Sequence, residues 1–277
     1  MNVPYVVPRA IRHFLPARIT RFLLVRSLII RPGLETAEPE AAVDRYIEAL
    51  SARGQILTGR RVLVFGYGGR FDIGLRLLEG GAAHVVLCDK YAESDDEHNR
   101  LLQPRYREYL QTASGRTAPR TEWITLARKE IQDLHASGEL APFDLIVSTS
   151  VYEHLHDVDG TTRALAALTA VGGVNIHFVD LRDHFFKYPF EMLHYSENTW
   201  RRWLNPTSNH NRFRLWDYRK VFDSYFEDVD VTVLERDEAG FARALGRIRP
   251  EFKRGNVLDD SVTLIRVVAA RPRGQAA

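Results

Sequence analysis

The chain has 277 residues, a formal net charge of +2, and 45% hydrophobic against 27% charged residues. That composition excludes wholesale disorder and a collagen-like repeat, and the length suits one large α/β domain or one domain with an appendage. The single cysteine, Cys88, excludes an intrachain disulfide and a cysteine-based zinc site and fits a reducing, cytoplasmic setting.

No uncharged apolar run is long enough to span a bilayer. The first 31 residues nevertheless stand apart. They carry Arg9, Arg12, Arg18, Arg21, Arg26 and Arg31 and no acid, the first acid being Glu35. Apolar residues such as Ile11, Phe14, Phe22 and Leu28 lie between the arginines, and Pro4, Pro8 and Pro16 break the stretch. Arg26 interrupts the apolar run and no small-residue cleavage site follows, so this is not a secretory signal. Three readings are open: an arm packing on the domain or on a second copy, a peripheral contact with anionic lipid at the inner face of the membrane, and a nucleic-acid arm. The near-neutral total charge argues against nucleic acid as a partner.

A proline-rich break over 31–39 ends the arm, and apolar spacing predicts a helix over 40–52. Strands are expected at 61–65, 84–88, 123–126, 143–148 and 174–179. Helices are expected at 71–79, 95–111 and 160–170. After an interruption at 184–216 come a helix at 217–226, a strand at 229–234, a helix at 238–248 and a last strand at 261–269. Alternation of this kind defines a doubly wound, mostly parallel sheet covered on both faces, with right-handed crossovers. The expected division is a basic helical arm at 1–50 and a domain at 51–277 that contains the insert.

The strand at 61–65 runs into Gly66-Tyr67-Gly68-Gly69 and then a helix. Glycines permit positive φ and close approach of a ligand to the backbone, and such a turn lies at the carboxyl edge of the sheet, where ligands bind. Asp89 closes the second strand, where a carboxylate can accept hydrogen bonds from both hydroxyls of a ribose. Together they point to an adenosine-type ligand. The turn is not a complete dinucleotide fingerprint, because Phe71 stands at its last glycine position. No Tyr-x-x-x-Lys pair and no phosphate-binding P-loop occurs, so a nicotinamide-dependent oxidoreductase is the weaker reading.

Three segments carry a resemblance: VLVFGYGG at 62–69, VVLCDK at 85–90, and FDLIVSTSVYEHL at 143–155. In this order they resemble the class I S-adenosylmethionine-dependent methyltransferases, and Gly172-Gly173 before the fifth strand is similar to a common turn of that family. The resemblance implies a Rossmann-like methyltransferase fold with an antiparallel last strand and S-adenosylmethionine as cofactor. It places Gly66, Gly68, Gly69, Asp89, Glu130 and Ser148 around that cofactor, Glu130 toward the adenine. Two positions depart from the family: Val64 stands where many members have an acid, and Arg70 replaces the third small residue of the turn. Asp72 is the nearby acid that could stand in. These departures keep a second reading open, a methyltransferase-fold binding or scaffold protein without turnover.

Methyl transfer from a sulfonium needs an acceptor placed in line and, for a hydroxyl acceptor, a base. The fourth strand is followed by Glu153 and His154 and the fifth by Asp180, Asp183 and His184. His154, Asp183 and His184 are the candidate catalytic residues, unless Glu153 and His154 only cap a helix. His154, Asp180, Asp183, His184 and His194 could also hold a divalent ion, but histidines with carboxylates are not a magnesium set and no metal is expected. In the insert, ten of the 35 residues from 184 to 218 are aromatic and Arg201, Arg202, Arg212 and Arg214 lie among them. It is either a packed subdomain or a lid over a small-molecule acceptor, a sugar or glycan-precursor hydroxyl in the fuller reading.

Overall fold

The structure is a computed structural model and describes residues 2–15, 38–113, 115–185 and 187–274. Residues 16–37, which hold most of the proline-rich break and the middle of the arm, lie outside these residues. In chain order the elements are α1 (Val3–Phe14), α2 (Pro39–Ser51), β1 (Arg61–Phe65), α3 (Asp72–Glu79), β2 (His84–Cys88), α4 (Asp96–Leu102), β3 (Leu110–Ala113), β4 (Arg116–Pro119), β5 (Ile124–Ala127), α5 (Ile131–Ser137) and β6 (Phe143–Thr149). They continue with α6 (Val158–Leu168), β7 (Thr169–Asp180), α7 (Glu197–Thr199, running into a π-helical turn Trp200–Leu204), α8 (Leu215–Tyr225), β8 (Phe226–Arg236), α9 (Glu238–Ala244), α10 (Val257–Asp260) and β9 (Val262–Pro272).

Seven strands form one sheet in the order β5-β2-β1-β6-β7-β9-β8. The first five are parallel, and β9 runs antiparallel to both neighbours. The order reverses between β1 and β6, which is where an open sheet of this kind splits its loops and leaves a crevice at the carboxyl edge. The central strands read as unbroken Val and Leu runs because both sheet faces are buried. One face packs Val62, Val64, Leu87 and Val147 with α2 and α3; the other packs Leu63, Val86 and Ile146 with α5, α6 and α8. α2, grouped with the arm on sequence, contributes Ala42, Val43, Tyr46, Ala49 and Leu50 to the first of these cores.

Two expectations need correction. The polar stretch 95–111 is helical only to Leu102; the chain then forms the separate hairpin β3–β4, with Gly115 at φ +75° in its turn. Polar residues without a helical apolar stripe carried no signal against a hairpin there, whereas the glycine did. α1 also runs unbroken through Pro8. A proline inside a helix removes one hydrogen bond, and here burial of Tyr5, Arg9 and Arg12 on one face of the helix offsets that loss.

The insert is a packed unit. Phe190, Met192, Leu193, Trp200 and Leu204 form a third core with Phe241, Ala244 and Ile248, and Val6 of α1 packs against it. α1 is seated on this unit by further contacts: His13 Nδ1 donates to the Asn205 carbonyl at 2.6 Å, and the Tyr5 ring lies 5.9 Å from those of Phe185, Tyr188 and Tyr195. Among the described residues no helix is long and apolar enough to cross a membrane.

Candidate active site

β1 delivers the glycine turn to the carboxyl edge of the sheet. Gly66, Gly68 and Gly69 have φ of +83°, +68° and +89°, a region that L side chains rarely enter. A Cβ on Gly66 would lie 2.3 Å from Val151 Cγ2, and one on Gly69 would lie 2.0 Å from the Glu93 carbonyl oxygen. The turn is thus wedged between the segment after β6 and the loop after β2. Asn99 pins it further, accepting from the Phe71 amide and donating to the Gly69 carbonyl, both at 3.0 Å. A Cβ on Gly68, by contrast, would meet nothing within 4 Å. That is the open side of the turn.

Asp89 stands at the end of β2 beside this opening. Its carboxylate accepts from the Tyr91 amide at 2.8 Å, the Ala92 amide at 2.9 Å and, across the turn, the Gly68 amide at 3.3 Å. Lys90 Nζ and the Tyr91 hydroxyl both reach Glu130 Oε1, at 2.8 and 3.3 Å. The structure therefore gathers Gly66, Gly68, Gly69, Asp89 and Glu130 along one edge. The departures leave this edge open: Val64 is buried in the sheet, and Arg70 Nε donates to Asp95 at 2.9 Å. Asp72, offered as a stand-in acid, is bonded to His98 Nε2 at 2.8 Å. Ser148 differs from its expected place. It is fully buried, with its hydroxyl 2.8 Å from His177 Nδ1, because alternation along β6 turns its side chain into the core.

The second cluster follows β6 and β7. Glu153, His154 and His184 each offer a ligand atom within 4.8 Å of the others. The His154 and His184 rings are 4.8 Å apart, and His210 from the insert adds a third ring 5.0 Å from His184. The insert grips this segment tightly. Asn209 Nδ2 donates to the carbonyls of His154 and Leu155, both at 3.0 Å, and Asn211 Nδ2 donates to the Tyr152 carbonyl at 2.7 Å. Burial holds His154 below the ordinary imidazole range. His184 and His210 sit well below it, through burial first and then neighbouring imidazoles and Arg9. Burial, reinforced by Asp180, pushes the Glu153 carboxyl well above its usual range.

Asp183 is not part of that group. It is fully buried and receives Tyr5 Oη, Arg9 and, at 2.8 Å, the Phe185 amide. It anchors α1 and is not open to an acceptor. Asp180 is held by Arg182 in a bidentate pair, and His194 faces Glu191 at 3.4 Å. Trp200, an insert aromatic, is buried with Arg9 and Arg212 5.3 and 5.2 Å from its ring. Sequence reasoning missed His210, Asn209, Tyr5 and the anchoring role of Arg9. The Asn-His-Asn run at 209–211 was the available signal, but nothing in it shows which segment it would clasp.

No family model matches the chain, and no curated protein matches it. Solved structures do. The 1,6-didemethyltoxoflavin-N1-methyltransferase of Burkholderia thailandensis is 14% identical over 92% of this chain and 88% of that one, with a TM-score of 0.48. The magnesium protoporphyrin IX methyltransferase of Synechocystis PCC 6803 is 14% identical over 82% of each chain, TM-score 0.45. An S-adenosylmethionine-dependent methyltransferase from Mesorhizobium loti is 18% identical over 80% of this chain and 96% of that one, TM-score 0.41. These are likenesses of fold. The five parallel strands, the reversal between β1 and β6 and the antiparallel β9 give the chain the class I S-adenosylmethionine-dependent methyltransferase fold.

Proposed function

We propose that the protein transfers a methyl group from S-adenosylmethionine to a hydroxyl of a small molecule. The observation that carries this is the contact of Gly66 with Val151, since it joins the two clusters into one continuous rim. On one side the turn amides and Asp89 suit the cofactor's ribose and its methionine end. On the other, two residues beyond Val151, Glu153 and His154 meet His184. The cofactor supplies an already activated methyl group. The chain's own residues have to hold the acceptor in line, exclude water and ease removal of its proton, which is the part we assign to His154 and His184. The fuller sugar reading leaned on exposed aromatic faces in the insert, and Trp200 does not support it.

Calorimetry with S-adenosylhomocysteine tests the first half. The wild type should bind, and Asp89→Ala should weaken binding by about 1–3 kcal/mol, the worth of hydrogen bonds to a charged acceptor. Absence of binding by the wild type would remove the reading. Binding without turnover on any hydroxyl acceptor would favour the scaffold alternative instead.

We further propose that α1 touches anionic lipid. Val3, Val7, Ile11 and Phe14 are each at least half exposed and follow one another on one side of the helix, opposite the buried Tyr5, Arg9 and Arg12. Trp203, also exposed, lies with its ring 5.9 Å from that of Phe14. The outward apolar stripe matches the chemistry of a membrane surface, and because Arg9 and Arg12 face inward, the attraction to anionic lipid is assigned to the arginines that follow in the sequence, Arg18, Arg21, Arg26 and Arg31. Vesicles containing phosphatidylserine should sediment the wild-type protein, and Ile11→Glu/Phe14→Glu should abolish this. If instead the substitutions only reduce oligomeric size, the stripe is a self-association face.

A further inference from the structure

We infer that Glu153, His154 and His184 form a binding site for a divalent transition-metal cation. Their ligand atoms lie mutually within 4.8 Å, wider than the roughly 3.3–3.6 Å that tetrahedral bonds of roughly 2.0–2.2 Å to one ion require, so the side chains have to close by about 1 Å on binding; His184 Nε2 and Glu153 Oε1 already stand 3.7 Å apart. Three features of the surroundings point the same way. Glu153 is 1% exposed, and although the Ser150 side chain and the backbone of Glu153 and Asp180 lie beside it, neither carboxylate oxygen reaches a hydrogen bond of ordinary geometry, an under-satisfied state for a buried carboxylate. His154 Nδ1 donates to the Asn209 carbonyl at 2.9 Å, which fixes the tautomer and leaves the Nε2 lone pair for a ligand bond. His210, beside the other two rings, repeats the pattern: Nε2 donates to the Arg182 carbonyl at 2.9 Å, and the buried Nδ1 has no partner. Asn209 is itself locked, at φ +57° with its side chain on two carbonyls, so the second-layer hydrogen bond comes from rigid backbone.

Two imidazoles and one carboxylate with an open position are the donor set of reactive rather than purely structural zinc-type sites. Imidazole donors disfavour Mg²⁺ and Ca²⁺, which take oxygen ligands. Asp180 and Asp183 stay outside the set because Arg182 and α1 hold them. The role of such an ion rests on the methyltransferase reading: at this rim it would hold an acceptor oxygen beside the methyl group, and His154 and His184 would then ease loss of the acceptor's proton through the ion they bind rather than as free bases. Its binding does not rest on that reading.

The test uses the full-length protein, stripped with a chelator and titrated with Co²⁺ while visible ligand-field absorption is followed, and with Zn²⁺ by calorimetry. S-adenosylhomocysteine binding is measured in parallel on the same preparation. Saturable Co²⁺ binding that Mg²⁺ does not displace is expected. Glu153→Gln and His184→Ala should each weaken Zn²⁺ binding by more than about 100-fold, beyond the roughly 10–100-fold typical of losing an outer partner. His194→Ala should leave it unchanged. Should His184→Ala fail to fold, the near-isosteric Glu153→Gln decides alone. Wild-type protein without Co²⁺ absorption, or a Glu153→Gln variant that binds as tightly as wild type, overturns the site. In either case retained S-adenosylhomocysteine binding leaves the methyltransferase reading standing.

Discussion

Arg9→Met should lower the unfolding free energy by about 3–5 kcal/mol, because it leaves Asp183 charged and buried without its cation. The two side chains are 2% and 0% exposed, so solvent cannot take over the lost interaction. Arg9→Met combined with Asp183→Asn should recover much of that loss. Asparagine still accepts from Tyr5 Oη, and no buried charge is left behind. Urea unfolding of the wild type, both single variants and the double variant gives the coupling directly, expected at about 0.5–3 kcal/mol. Strictly additive effects would show that this pair does not seat α1. The same cycle bears on chemistry. If Asp183 were the acceptor's base, the double variant would regain stability without activity; if it is an anchor, both should return together.

Gly69→Ala should be the most damaging change at the cofactor edge. A φ of +89° is strained for any L residue, at a cost of about 1–3 kcal/mol, and the added methyl would meet the Glu93 carbonyl, which is backbone and cannot swing aside. The loop after β2 has to move, and with it Asp89. We expect a lower melting temperature and S-adenosylhomocysteine binding below detection. Gly68→Ala separates the two effects. Its methyl meets no protein atom, so stability should fall by only about 1–2 kcal/mol. Yet that methyl enters the space we assign to the ligand, so affinity should fall by about tenfold or more, about 1.4 kcal/mol. Gly68→Ala protein that binds S-adenosylhomocysteine as the wild type does would move the ligand away from the turn.

The contrast between these two regions also shows what a sequence discloses. β1, the glycine turn and Asp89 could be read because they are local: a strand, a turn and a second strand within 29 residues, each with its own composition. Parallel strands buried on both faces announce themselves as apolar runs, and β1 and β2 begin and end where those runs do. Ser148 was misplaced because its position along β6 was right but the face it points to depends on register. Asp183 was misread because a carboxylate after a strand looks the same whether its partner is an acceptor or a helix 178 residues away. The insert's aromatics carried the same ambiguity, since composition does not tell inside from outside. That His154 and His184 lie near each other followed from strand ends alone, whereas His210 reaches them through a long excursion that no spacing rule anticipates.

The seating of α1 on the insert has a consequence for how the protein comes into being. Residues 5 and 9 precede by about 180 positions the cradle that receives them, which is built from residues 183 to 252. The sheet can assemble strand by strand while α1 waits, its tyrosine and arginines unmatched. Closure of so long a loop comes late. Removal of residues up to 15 would spare the glycine turn and Asp89 and take away the wall behind the histidines. The glycine edge would stand intact beside a histidine cluster that has lost its support.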